Sequence, residues 1–267
     1  MPSKFLEDAQ VLGNERFAPD LWSLTLYAPR IAEAIAPGQF VSLALGDSAR
    51  LLRRPLSVFQ SDAAEGTIEL LYQVVGEGTG LMASWQEDEI RSLLGPLGNT
   101  WPIAEGVQTA LLVGGGIGTA PLALLALELR KRGVVVTMLQ AAQTAERLVA
   151  RGFFEDTVAA WICATDDGSA GTQGLITTPL AELLDREDFD VAYICGPEVM
   201  QTAVAALCAQ HALRCYVSLE RRMACGIGAC AGCVVTTTQG LKGVCAAGPI
   251  FDAKEVCWDD NIASRVH

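Results

Sequence analysis

Four cysteines near the carboxyl end, Cys225, Cys230, Cys233 and Cys245, follow a C-x4-C-x2-C spacing with a fourth thiol downstream. No other feature constrains the chain as strongly, because it matches the ligand pattern of a plant-type [2Fe–2S] cluster, and such a cluster draws all four positions to one point. Gly226, Ile227, Gly228, Ala229, Ala231 and Gly232 separate the first three thiols. These mostly small residues let the backbone wrap closely and turn N–H groups towards the sulfurs, offsetting the negative charge of a tetra-thiolate centre. Structural zinc is the competing ligand, but it usually takes its thiols as two short C-x2-C pairs.

Cys163, Cys195, Cys208, Cys215 and Cys257 show no pairing pattern, and the opening MPSKFLEDAQ lacks a charged-then-apolar signal. A reducing cytoplasm is the expected location. The 51% hydrophobic content over 267 residues allows two modest cores and an appended module. A formal charge of −12 argues against nucleic-acid and anionic-membrane partners. Any cofactor phosphate must therefore be met by local basic residues and backbone amides.

Val107 to Leu127 carries no charge and is long enough to span a membrane on count alone. Its punctuation predicts a soluble unit instead: a strand Ala110–Val113, a glycine loop 114–118, and a helix Pro121–Leu129 closed by basic residues and Gly133. The glycine loop departs from a strict G-x-G-x-x-G, because after Gly114 and Gly116 the third glycine's position is held by Thr119. Val134–Leu139 and Val191–Cys195 read as later strands, so alternating strands and helices predict a parallel α/β sheet with ligands at the strands' carboxyl ends. Cys195-Gly196-Pro197 falls at such an end, although a small buried core residue is the ordinary reading of Cys195.

Before residue 102 the texture is short and β-rich, with strands expected at 21–27, 39–45 and 67–75 in an antiparallel barrel or sandwich. Arg53-Arg54-Pro55-Leu56-Ser57 sets a guanidinium beside a stiffened turn and a hydroxyl. Gly78-Thr79-Gly80 precedes a helix-like stretch 81–86, with Thr79 as its expected N-cap. On these residues alone an exposed basic turn and a routine capped helix serve equally well; a neighbouring dinucleotide fold and cluster favour a flavin site.

Across nearly its whole length the sequence resembles the ferredoxin reductase-like flavoproteins, most closely the iron–sulfur electron-transfer subunits of NAD-dependent, two-subunit dihydroorotate dehydrogenases. The resemblance rests on Pro37-Gly38-Gln39-Phe40, Arg54 to Ser57, Gly78-Thr79, Leu94 to Asn99, Gly114 to Leu122, Thr165 to Ser169, Cys195-Gly196-Pro197 and Ser218 to Cys233. It implies a β-barrel FAD domain over 1–102, a parallel-sheet NAD domain over 103–215 and a [2Fe–2S] module over 216–267. Arg54, Pro55, Leu56 and Ser57 would bind FAD, Arg54 at its diphosphate and Ser57 near the reactive edge of the isoalloxazine. Leu71, Tyr72 and Gln73 would line the flavin, with Gly78 and Thr79 at its phosphates. NAD would lie by Gly115, Gly116, Ile117, Gly118 and Thr119 and near Cys195, Gly196 and Pro197. Ser57 and Cys195 are the catalytic candidates, and the cluster ligands fall on the Cys225 quartet.

The same resemblance implies a catalytic FMN-containing partner, two copies of each chain, which oxidises dihydroorotate and passes electrons through the cluster and FAD to NAD. Ala141-Ala142-Gln143 stands where many relatives have a run ending in arginine, which favours NAD over NADP. The gap from Cys233 to Cys245 is short for the family, so Cys257 remains an alternative fourth ligand. The competing functions are a flavin subunit of a ferredoxin-dependent transhydrogenase or soluble hydrogenase, and a zinc-stabilised binding module. His211, expected on a helix surface, and His267, in the tail, give no support to hydrolase chemistry.

Overall fold

The computed structural model describes residues 4–46 and 51–259; His267 and both ends of the outer units lie outside them. The amino-terminal half forms a seven-stranded antiparallel sheet curled into a half-barrel. Its strands are Phe5–Ala18, Leu21–Tyr27, Phe40–Leu43, Arg54–Ser57, Gln60–Asp62, Thr67–Gln73 and Ile90–Leu97. The fourteen-residue first strand pairs with both Leu21–Tyr27 and Ile90–Leu97, and so forms the middle of the sheet. Ala9, Val11, Leu24, Leu26, Leu70 and Leu93 fill the interior from alternate strand positions.

The second sheet is parallel and also seven-stranded, apart from one antiparallel edge. In spatial order its strands are Thr172–Gln173, Ala160–Thr165, Val135–Ala142, Thr109–Gly115, Val191–Cys195, Cys215–Ser218 and Ile250–Asp252. Strand order reverses between Thr109–Gly115 and Val191–Cys195, the switch point outside which α/β sheets open a crevice. Both faces are covered: Leu111 and Val113 pack into one core, Ala110 and Leu112 into the other.

Residues after Ser218 do not form a detached module. They run out through the cysteine loop and a hairpin, Val234–Thr237 with Gly240–Gly243, then return as the antiparallel edge Ile250–Asp252. Cys233, Val235, Val244 and Cys245 share one core with Phe40 and Leu97 of the half-barrel and with Val217 and Phe251 of the second sheet. The boundary expected at 215 thus falls on the first residue of a sheet strand.

Two local expectations need correction. The helix read as Pro121–Leu129 is a 3₁₀ segment Gly116–Leu122 followed by an α-helix Ala123–Lys131, because the chain turns sharply at Gly116, φ +54°, and Pro121 is accommodated in the tighter segment. The helix expected over 81–86 is Glu77–Met82, with Gly76 as its N-cap. Thr79 sits in the first turn, and its hydroxyl folds back to accept the N–H groups of Val75 and Gly76 at 3.0 and 3.3 Å. Among the described residues no helix is long and apolar enough to cross a membrane.

Candidate functional site

Arg53, just before the strand, and Arg54, its first residue, turn to different surroundings. Arg53 turns into the barrel wall, where Nη1 donates to the carbonyls of Ser42 and Ser92 at 3.1 and 2.9 Å and Nη2 reaches Ser92 Oγ at 2.8 Å. Arg54 faces a cavity of about 370 Å³, as do Pro55, Leu56 and Ser57 on the same strand. Leu71, Tyr72, Gln73 and Thr79 line it from across the half-barrel. Gly78 lies just behind, packed against the Arg54 side chain. All nine residues expected around a flavin therefore meet at one place. An arginine with an adjoining glycine turn suits a diphosphate, and a broad apolar wall with one serine hydroxyl suits an isoalloxazine.

Burial pushes the Tyr72 hydroxyl well above the usual tyrosine range, even though it donates to Asn14 Oδ1 at 2.9 Å. Tyr72 therefore stays neutral and acts as a wall of the cavity, stacked beside Trp22 at 6.4 Å between ring centroids.

A second cavity, of about 520 Å³, opens at the switch point. Gly115, Gly116, Ile117 and Gly118 form one lip; Gly196 and Pro197 form the other. The two loops touch through backbone: a β-carbon on Gly118 would stand 2.6 Å from Gly196 Cα. Only glycine permits that approach, and it leaves room for a ligand's phosphates against the main chain. Two residues expected here are absent from the lining. Thr119 is fully buried behind Gly114, and Cys195 is 1% exposed with its thiol in the core of the sheet. Burial raises the Cys195 pKa, so this cysteine is a neutral core group rather than a reactive thiolate.

The cavities adjoin. Gln73, Ile117, Leu219 and Glu220 line both. Sequence reading missed the dividing segment Ser218–Arg221 as a functional wall; its signal was the position directly after a buried strand end and before the cysteine loop. Asp20, also unforeseen, holds the wall from the barrel side, accepting from Gln73 Nε2 at 2.6 Å and pairing with Arg147 at 2.7 Å. The hydrogen bond from Gln73 and the nearby Arg147 charge hold the Asp20 carboxyl below its usual value.

Four residues beyond Arg221 begins the cysteine loop. Backbone N–H groups converge on its sulfurs: Gly228 N on Cys245 Sγ at 3.1 Å, Gly232 N on Cys230 Sγ at 3.4 Å and Cys245 N on Cys233 Sγ at 3.4 Å. Hydrogen bonds from the Ile227 and Cys230 backbones lower the Cys225 pKa to about 6, while burial lifts Cys245 to about 11. Cys225 interacts with Cys230, and Cys245 with both Cys233 and Cys225. Among the described residues no group of three or more ligating side chains stands close enough to hold a metal ion as it is. Four thiols on this loop and the hairpin's return suit an iron–sulfur centre, and backbone N–H groups already point at three of the sulfurs. The Cys257 N–H donates to the Thr236 carbonyl at 3.1 Å, beside the hairpin. The hairpin closes through only Thr238 and Gln239, and Cys245, just after it, returns to the loop, where its Sγ accepts from Gly228 N.

The family profile of the iron–sulfur cluster binding domain of dihydroorotate dehydrogenase B matches residues 220–257. The electron transfer subunit of dihydroorotate dehydrogenase B (NAD(+)) from Bacillus caldolyticus is 42% identical, over 94% of this chain and 98% of its own length. The subunit of the same name from Desulforamulus reducens is 33% identical over the same shares. A solved structure of an NADH-dependent reduced ferredoxin-NADP oxidoreductase superposes with a TM-score of 0.89 at 30% identity, covering 96% of this chain and 91% of that one. The ferredoxin reductase of carbazole 1,9a-dioxygenase, at 20% identity and a TM-score of 0.67, shares the fold. With relatives of that identity along almost its entire length, the chain belongs to the family of dihydroorotate dehydrogenase B electron-transfer subunits.

Proposed function

We propose that this protein takes electrons released by dihydroorotate oxidation in a partner subunit and delivers them to NAD+ through a [2Fe–2S] cluster and FAD. One observation carries the reading: the two cavities share a wall, and that wall continues within four residues into the cysteine quartet. When bound, the cluster supplies one-electron transfer, the flavin exchanges single electrons for pairs, and the nicotinamide accepts a hydride. The chain's own residues bind and orient. Arg54 and Gly78 take the diphosphate, Ser57 offers its hydroxyl to the flavin ring, and Gly115 to Gly118 with Gly196 and Pro197 seat the nucleotide. Cys225, Cys230, Cys233 and Cys245 hold the cluster. The working units 1–102, 103–215 and 216–267 correspond to FAD, NAD and cluster.

NAD rather than NADP is the nucleotide. Ala141, Ala142 and Gln143 line the cavity without charge, Arg147 is engaged by Asp20, and Asp166 adds a carboxylate that disfavours a further phosphate. The partner is an FMN-containing catalytic subunit in a complex of two of each chain. Its docking face includes the exposed Cys230 and Ile227, where one-electron exchange needs a short path. A reducing cytoplasm suits a thiolate-bound cluster in a chain with nine cysteines.

Anaerobic purification should give iron, acid-labile sulfide and FAD, and mixing with the catalytic partner should produce NADH on addition of dihydroorotate. The reading to exclude is a ferredoxin-coupled subunit, the kind of activity named for the similar ferredoxin-NADP oxidoreductase structure. Reduction by ferredoxin without any orotate-linked NADH would establish it and remove the first.

A further inference from the structure

The helix Glu198–Gln210 starts directly after Pro197, at the rim of the nucleotide cavity, and its first turn faces the dividing wall. Glu198 and Gln201, three positions apart on one helix face, both cross to that wall. Glu198 meets the Arg221 guanidinium two-pronged, Nη1 to Oε2 at 3.0 Å and Nη2 to Oε1 at 3.2 Å. Gln201 Nε2 donates to the carbonyls of Gly196 at 2.7 Å and Ser218 at 2.9 Å. Both of its acceptors are carbonyl oxygens, so the amide can take only this orientation. Glu198 is 6% and Gln201 1% exposed.

A buried ion pair of this kind is a weak source of net stability, because desolvation offsets most of its attraction, but its forked geometry fixes position stiffly. What it fixes is informative. Gly196 lies in the nucleotide cavity; Leu219 and Glu220 line both cavities; Ser218 and Arg221 line the flavin cavity. A ligand pressed against Gly196 and Pro197 therefore acts, through Glu198 and Gln201, on the wall of the flavin site.

We infer that Glu198, Gln201 and Arg221 are positioning residues, a latch that couples nucleotide occupancy to the redox state of the flavin site. The inference rests on the electron-transfer reading above and specifies how its two cavities communicate. Coupling of binding equilibria is reciprocal: if the nucleotide shifts flavin reduction, reduction must change nucleotide affinity by the same factor. A stiff tie between the cavities supplies the means, and removing it should separate the two events.

The test uses the holo-complex and tetrahydro-NAD, a redox-inert probe that keeps the shape of the nucleotide. Its affinity is measured by calorimetry for the oxidised and the dithionite-reduced complex. The wild type should show a ratio of about fivefold or more between the two states. In Gln201→Met the ratio should fall to about one with FAD and iron contents unchanged; Arg221→Met should lower it as far, and Arg221→Lys, which keeps the charge without the fork, should lie between. Gln201→Met leaves the ion pair intact and decides the matter if Arg221→Met fails to fold. Equal affinities in the wild type, or a full ratio retained in Gln201→Met, would overturn the latch while leaving the functional reading standing. A complex that takes up neither FAD nor cluster would instead overturn the reading beneath it.

Discussion

Gly78 lies directly against the guanidinium of Arg54: a β-carbon at position 78 would stand 2.4 Å from Nε and 2.5 Å from Nη2. The glycine opens a shelf on which the cation rests, facing the cavity where Thr79 and Ser57 also stand. Arg54 is further steadied by its Nη1 donating to the Leu52 carbonyl at 2.7 Å.

Gly78→Ala should therefore weaken FAD binding without unfolding the chain. The atoms in the way belong to the end of a long side chain, and alanine itself suits a helix, so stability should stay within about 1 kcal/mol. Displacing the guanidinium from a phosphate loses a charge-assisted hydrogen bond of about 1.5–3 kcal/mol, or roughly ten- to a hundredfold in affinity. Flavin fluorescence titration gives the affinity and thermal melting the stability. An unaltered FAD affinity would remove Arg54 from the phosphate site.

Asn99 clamps the half-barrel to the returning end of the cluster segment. Its Nδ2 donates to the carbonyls of Ala247 and Ile250 at 3.1 and 2.8 Å, its Oδ1 accepts from Ile250 N at 2.9 Å, and its own N–H donates to the Gly248 carbonyl at 2.7 Å. Asn99→Ala deprives Ile250 of partners in a place with little water, costing about 1–3 kcal/mol. Ala247 lies two residues beyond Cys245, so the visible cluster absorbance should bleach faster in the presence of chelator than in the wild type. Equal bleaching rates would mean that Asn99 supports the barrel alone.

The arrangement of sheets and the presence of an iron–sulfur segment at the carboxyl end could be read directly from the chain. Runs such as Leu111-Leu112-Val113 and Val191-Ala192-Tyr193 carry the burial pattern of a parallel sheet locally, and the thiol spacing carries its own geometry. The long first strand escaped notice because Glu7, Asp8, Gln10 and Asn14 interrupt its apolar pattern; it pairs on both sides, but several of its side chains face solvent. Thr79 looked like a cap since its hydroxyl does satisfy nearby N–H groups, though from within the first turn and reaching backwards. What sequence could not show were contacts between distant segments: Asn99 with Ile250, Asp20 with Arg147, Glu198 with Arg221. Each joins residues whose separation is set by the packing of two sheets. Cys195 illustrates the converse. Its neighbours Gly196 and Pro197 reach the cavity, and a one-residue step along a strand end is enough to turn the cysteine into the core.

Asp20 makes the junction between the sheets sensitive to acid. The hydrogen bond from Gln73 and the charge of Arg147 favour its ionised form, so its folded pKa lies below the unfolded one. The resulting stabilisation is present above the ordinary carboxylate pKa of about 3.9 and disappears as the pH falls through the folded value. Asp20→Asn should be less stable than the wild type at neutral pH, and the two should converge below that window. Melting followed by far-UV circular dichroism at each pH compares them directly, because acid loss of the cluster is common to both. A constant gap down to the lowest pH would show that the carboxylate contributes no charge-dependent term.

The nine cysteines divide into groups that alkylation can separate. Cys163, Cys195, Cys208 and Cys215 are between 0% and 5% exposed, and burial raises the pKa of Cys163 and Cys195, which lowers the thiolate fraction further. Iodoacetamide applied to the native holo-protein should spare all four, and peptide mass mapping should find them unlabelled until the chain is unfolded. Cys257 is only half-buried, so it should be modified while the cluster is in place if Cys245 is the fourth ligand. Cys225 and Cys230 should become reactive once chelator removes the iron, because their protection comes from the metal, whereas Cys233 and Cys245, each 2% exposed, should stay unlabelled until the chain is unfolded. Labelling of Cys195 in the native state would contradict its place in the sheet core and return a thiol to the nucleotide cavity. Labelling of Cys245 with Cys257 protected would reassign the fourth ligand, since a thiolate bound to iron cannot also act as a nucleophile.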